Sequence, residues 1–171
     1  LKHRGIILIV LLAIAVIAII FLPKERSFKE VAVVGSPAPE FELKDINGNL
    51  WRLSELKGKV VFMNFWATWC SVCKTETPFK EALLRQMKGK PFQMLGIIYR
   101  DNLQDVKAYV EKYGVTVPTL ISPDDEIARL HGIAVIPQTF IIDKDGVIRE
   151  RILGLRQWDS PESIALIEKW L

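Results

Sequence analysis

Val60-Val61-Phe62-Met63-Asn64-Phe65-Trp66 is a short apolar run rich in β-branched and aromatic residues, and it leads straight into Cys70, one of only two cysteines in the chain. A run of this length and make-up is consistent with a strand buried on both faces. From Cys73, the second cysteine, the period changes. Phe79, Leu83 and Met87, with Ala82 and Leu84 alongside, fall at helical spacing, and residues 92–99 form a second buried strand. The result is a β-α-β unit with a Cys-x-x-Cys pair at its first strand-to-helix turn.

The flanking text fits around that unit. Phe41 and Leu43 alternate with polar residues, Asn47-Gly48 is a strong hairpin turn, and Leu50, Trp51 and Leu53 resume the apolar pattern. Asn102 can cap a helix that ends at Gly114, residues 118–121 make a short strand, and Asp124 or Asp125 can cap a helix ending near Gly132. Residues 139–142 and 147–152 read as strands joined through Asp145-Gly146. Ser160 and Pro161 then start a C-terminal helix carrying Ile164, Leu166, Ile167 and Trp170.

Residues 5–22 contain no charge, and fourteen of the eighteen are Ile, Leu, Val or Phe. As a helix they would rise about 27 Å, close to the roughly 30 Å of a bilayer's hydrocarbon core. The residues at its end, Phe21-Leu22-Pro23-Lys24-Glu25, offer no small-x-small cleavage site, so a retained anchor is favoured over a cleaved signal peptide. Basic residues stand on both sides of the run, and the positive-inside rule hardly discriminates an orientation. Without Lys2 and Arg4 the 23 basic residues fall to 21 against 20 acidic ones, so the soluble part is nearly neutral. Nothing there suggests a nucleic-acid partner.

Three chemistries compete for Cys70 and Cys73. A structural zinc site needs about four ligands, and only His131 and the distant His3 are available to join them. A purely structural disulfide would close a loop too short to restrain the unfolded chain much. A redox-active pair fits the β-α-β setting: Cys70 lies at the helix start, where unpaired N–H groups and the helix dipole favour an anion. Cys73, one turn inside, is close enough to attack a mixed disulfide on Cys70. A rival of another class is a copper-binding or delivery module, since two thiolates can hold Cu(I), although no Met or His stands beside the pair in sequence.

Glu76 shares a helix face with Cys73. By position alone it is equally a surface charge, a partner for Lys80 and a proton acceptor for Cys73. Trp66 is most simply core, while Trp69 is either core or part of an apolar docking surface. His131 reads as a capping or solvated histidine before Gly132.

The stretch Asn64-Phe65-Trp66-Ala67-Thr68-Trp69-Cys70-Ser71-Val72-Cys73 resembles the active-site segment of the thioredoxin superfamily, and more closely that of the membrane-anchored TlpA/ResA/CcmG-type thioredoxins. Gly35-Ser36-Pro37-Ala38-Pro39-Glu40-Phe41, Gly58-Lys59-Val60-Val61, Pro78 and Ile136-Pro137-Gln138-Thr139-Phe140 extend the likeness from about Gly35 to the C-terminus. Two departures stand out. Asn64 replaces the buried Asp of thioredoxins proper, and Ser71-Val72 lacks the proline common between the cysteines.

The resemblance implies a three-layer α/β/α thioredoxin fold with a mixed central sheet, an extra N-terminal hairpin and an inserted α-β element near residues 102–121. The expected organisation is a transmembrane anchor at 1–22, a linker at 23–36 and the thioredoxin-like domain at 37–171. It also implies a catalytic set of Cys70, Cys73 and Glu76, with Glu76 as the base, and a substrate-binding loop at Ile136 and cis-Pro137 beside Trp69. No bound cofactor or metal is expected. The implied activity is reduction of disulfides in exported proteins, with the heme-attachment cysteines of apocytochrome c as best single substrate. Electrons would come from a membrane thiol-transfer protein, and the domain would stand on the non-cytoplasmic side.

Overall fold

The computed structural model describes residues 32–171; the expected anchor and most of the linker lie outside the described residues. Among the described residues no helix is long and apolar enough to cross a membrane. In chain order the elements are β1 (Glu42–Asp45), β2 (Leu50–Arg52), a 3-10 turn (Leu53–Leu56), β3 (Val60–Trp66), α1 (Ser71–Gln86), β4 (Phe92–Ile98) and α2 (Leu103–Tyr113). β5 (Thr119–Ile121), α3 (Glu126–Leu130), β6 (Gln138–Ile142), β7 (Ile148–Leu153) and α4 (Pro161–Glu168) complete the chain.

Among the described residues seven strands form one sheet in the order β2-β1-β5-β4-β3-β6-β7. β3 pairs in parallel with β4 and antiparallel with β6, which makes the sheet mixed. The N-terminal hairpin and the inserted α-β element, read separately in the sequence, meet here: β1 pairs antiparallel with β5. Together they extend the sheet on one side by three strands. At the hairpin turn, Asp45 Oδ1 accepts the N–H groups of Asn47 and Asn49, and Gly48 supplies the positive φ the turn requires.

All seven residues of β3 are buried, and successive side chains enter different cores, as the strand period of two demands. Val61, Met63 and Phe65 join a cluster with Leu53, Leu56, Ile127 and Phe140, beneath the 3-10 turn and α3. Val60 and Phe62 face the other way, against Leu83 and Met87 of α1, Ile167 of α4 and Trp158. Trp66 continues that second face toward Cys73, Val106 and Tyr109. Asn64 is on the α1 side by the same alternation. This is the three-layer arrangement expected from the resemblance.

The inner face of α1 differs from the apolar stripe read in the sequence. Phe79 is only partly buried, while Cys73, Glu76, Lys80, Leu83 and Met87, spaced three and four apart, are all buried. Gly96 on β4 is required by the Trp66 ring of β3: a Cβ there would come within 2.7 Å of the indole Nε1. α2 is capped as its sequence suggests, with the Asn102 side chain accepting the Asp105 N–H and Gly114 in the left-handed region at its end.

His131 caps but is not solvated. Its ring is fully buried between Phe65 and Phe140, with Nδ1 2.8 Å from the carbonyl of Ile127. Burial, partly opposed by that hydrogen bond, lowers its pKa from 6.5 to about 4. Between these values the unfolded chain binds the extra proton, so stability is complete above about pH 6.5 and is lost as pH falls toward 4. We expect wild type to lose up to about 3 kcal/mol more than His131→Leu between pH 7 and pH 4. Urea denaturation at each pH measures this, and parallel losses would disprove it.

Candidate functional site

Cys70 is the N-cap residue of α1, and its sulfur accepts the backbone N–H of Cys73 at 3.1 Å. Cys70 and Cys73 are joined as a disulfide. The two ends of the pair differ in access: Cys70 is 7% exposed, Cys73 is fully buried, and between them Ser71 and Val72 face solvent. An incoming sulfur can therefore approach only Cys70. The turn ahead of it is tied to the far end of β4, where Asp101 Oδ2 accepts the N–H of Thr68 and the Arg100 carbonyl accepts the indole N–H of Trp69 at 2.9 Å. Trp69 is held at its polar end while 58% of its surface stays exposed, so it does not belong to the core.

Opposite the cysteines lies the loop before β6. The Ile136-Pro137 peptide is cis, and it is the only cis bond among the described residues; Val117-Pro118 is trans. The Ile136 carbonyl oxygen is 4.0 Å from Cys70 Sγ. The Pro137 carbonyl is already taken by the N–H of Gly154. Trp69 and Val72, on either side of Cys70 in the chain, and Val135, next to Ile136, are exposed apolar side chains.

Beneath the disulfide stands a group of buried polar side chains. Glu76 is fully buried, and its Oε1 accepts the backbone N–H of Arg156 at 2.8 Å and the indole N–H of Trp158 at 3.1 Å. Oε2 has no hydrogen-bond partner among the described residues. Burial raises the Glu76 pKa, while Lys80 and the two N–H donors oppose the rise. A carboxyl so placed can take or return a proton close to Cys73. Glu76 is thus not a surface charge.

Lys80 is buried as well, with Nζ donating to Asn64 Oδ1 at 2.7 Å, and Asn64 Nδ2 donating to Thr139 Oγ1 at 2.9 Å. Burial pulls its pKa down from 10.5 to about 8 against the pull of Glu76 and Glu81. Glu81 is occupied elsewhere, accepting from Thr116 and from the N–H of Val117.

The structure therefore gathers Cys70, Cys73, Glu76, Trp69, Ile136 and Pro137 at one end of the sheet. Sequence reasoning named Lys80 only as a candidate partner for Glu76, and it missed two further members, the Arg156 N–H and Trp158. The three-and-four spacing from Cys73 through Glu76 to Leu83 passes through Lys80 and was a usable signal. Arg156 and Trp158 reach Glu76 from 80 and 82 residues away, with no local pattern to announce them. Among the described residues no group of three or more His, Cys, Asp or Glu could hold a metal ion.

Comparison with known proteins agrees with this geometry. The sequence profile of the AhpC/TSA family matches residues 34–151. A thiol-disulfide oxidoreductase ResA from Geobacillus kaustophilus is 36% identical over 126 residues, covering 74% of this chain and 72% of the relative. A ResA from Bacillus thuringiensis is 34% identical over 155 residues, 90% of each chain. Among solved structures, a thioredoxin-family thiol:disulfide interchange protein from Chlorobium tepidum superposes with a TM-score of 0.69 at 29% identity, covering 80% of this chain and 98% of its own.

Proposed function

The chain belongs to the AhpC/TSA family and is a thioredoxin-like thiol-disulfide oxidoreductase; on that footing we propose that it works as a reductant of disulfides in exported proteins, with the heme-attachment cysteines of apocytochrome c as its substrate. The observation that carries the mechanism is the asymmetry of the pair: Cys70 is reachable at a helix N-terminus, whereas Cys73 is sealed one turn inside beside a buried carboxyl. In the reduced protein the Cys70 thiolate attacks a substrate disulfide, with the helix N–H groups, that of Cys73 foremost, stabilising its charge. The extended substrate lies across Trp69 and takes backbone hydrogen bonds from Ile136 at the cis-Pro137 loop. Cys73 then gives its proton to Glu76 and attacks Cys70. The intramolecular geometry makes this step fast, since well-oriented attack reaches effective molarities of about 10⁵ M or more.

The apolar run at residues 5–22 supports a single-pass anchor that holds the domain on the non-cytoplasmic side. Its spent disulfide would there be reduced again by a membrane thiol-transfer protein. Protease added to intact spheroplasts is expected to digest the domain. Protection matching that of a cytoplasmic marker would refute this placement.

If Cys70 attacks first, Cys73→Ala traps mixed disulfides with substrate proteins and Cys70→Ala traps few. Mass spectrometry of the trapped species tests the substrate assignment at the same time, with apocytochrome c peptides expected among them. Equal trapping by both variants would count against the order of attack, and an absence of those peptides against the substrate.

Glu76→Gln is expected to fold and to form the mixed disulfide, yet to resolve it at least about tenfold more slowly near neutral pH. The deficit should shrink as pH rises and Cys73 ionises unaided. Stopped-flow measurement of the resolving step from about pH 6 to 10 decides this, and a parallel, unshifted profile would remove Glu76 from the chemistry.

A further inference from the structure

Lys80 poses a problem that stability alone does not explain. Its ammonium is buried on the same face of α1 as Cys73 and Glu76, with one neutral acceptor, Asn64 Oδ1, and the Trp66 ring centroid 5.6 Å away. A buried charge with so little compensation is costly, and an apolar side chain of similar volume commonly fills such a place at no loss.

The charged and titratable groups around it narrow what the charge can serve. From α1 itself, Glu76 and Glu81 act on Lys80, and Glu81 is committed to Thr116 and Val117. From α2, Tyr109 approaches the same region but is bonded through its hydroxyl to Thr77. From the segment before α4, Arg156 offers Glu76 only its backbone N–H, while its guanidinium bonds Ser163. Strands β3, β4 and β5 bring only uncharged side chains to the small cavity beside Lys80: Asn64, Trp66, Met94, Leu95 and Thr119. Among the described residues Glu76 is thus the one carboxylate with an unpartnered oxygen that feels this cation.

We propose that Lys80 is a positioning residue for the exchange reaction: its buried ammonium keeps the Glu76 carboxylate ionised, so that Glu76 is able to receive the proton of Cys73. This rests on the reading of Glu76 as the base. A fully buried carboxyl without a counter-charge goes neutral, and a neutral Glu76 has no use as an acceptor. In the step served, the Cys73 S–H bond breaks and the proton moves to Glu76. The Cys73 sulfur bonds to Cys70 Sγ, and the bond from Cys70 Sγ to the substrate sulfur breaks. The electron pair leaves on the substrate thiolate, which is then protonated by Glu76 or by water. The dithiol loses two electrons, the substrate disulfide gains them, and Lys80 neither gains nor loses a proton.

The test follows Glu76 directly in the full chain in detergent. The infrared carbonyl stretch of a protonated carboxyl, assigned to Glu76 by its loss in Glu76→Gln, is titrated in wild type, Lys80→Met and Lys80→Arg. We expect Lys80→Met to move the titration upward by about one pH unit or more and Lys80→Arg to restore it. The resolving rate near neutral pH should fall about tenfold in Lys80→Met, with its pH profile displaced to the alkaline side. Lys80→Met combined with Glu76→Gln should be no slower than Glu76→Gln alone. If Lys80→Met does not fold, Lys80→Gln, which retains a donor toward Asn64, takes its place in the same measurements. An unshifted titration together with a slow Glu76→Gln overturns the role of Lys80 alone. A shifted titration with a resolving step indifferent to Glu76→Gln overturns the base assignment instead.

Discussion

A strand with no water on either face must send alternate side chains into two separate cores, and β3 is under that constraint along its whole length. Because Val61, Met63 and Phe65 fill one core, Val60, Phe62, Asn64 and Trp66 are committed to the other, the one roofed by α1. The register of β3 against β4 and β6 then places the strand's end, and with it the turn carrying Cys70, at the rim of the sheet. Slipping that register by one residue would exchange the two sets and bring Asn64 into the apolar cluster with Phe140. The site is therefore a consequence of core packing rather than an addition to it.

The same face of α1 that packs on the sheet also carries the chemistry, and this creates a conflict. Leu83 and Met87 are ordinary core residues, but Glu76 and Lys80, one and two turns beyond Cys73, bring ionisable groups to positions equally closed to water. Each is held by neutral dipoles, the Arg156 and Trp158 N–H groups for Glu76 and the Asn64 carbonyl for Lys80. Neutral partners offset only part of the desolvation cost of a charge. Burial accordingly pushes the two pKa values toward each other, Glu76 upward and Lys80 downward. Pairs shifted in this way are concentrated at functional sites, and here Glu76 stands one turn and Lys80 two turns beyond Cys73 on the same buried helix face.

Around the reachable sulfur the arrangement is the reverse. Trp69, Val72 and Val135 are left exposed although each is apolar, and Trp69 is fixed by its indole N–H so that its ring stays at the surface. Exposed apolar side chains beside a backbone loop that still has the Ile136 groups to offer suit a segment of extended polypeptide better than a compact small molecule.

Much of this was legible in the chain itself. The apolar run, the change of period after Cys73, the Asn47-Gly48 turn, the Asn102 and Ser160 caps and the order of elements are local signals, written in residues a few positions apart, and they marked the α/β architecture and the cysteine pair at its strand-to-helix turn. What the sequence left open depended on contacts between distant segments. Glu76 was equally a surface charge until Arg156 and Trp158 closed over it from 80 and 82 residues away. Asn64 reads as a lost Asp in sequence, and only its bonds to Thr139, 75 residues on, and to Lys80 show it as the acceptor for a buried cation. Burial and the pKa shifts it causes are set by what packs against a group in three dimensions. Spacing along one helix placed Cys73, Glu76 and Lys80 in line, and only the closed core decided that all three are shut away from water.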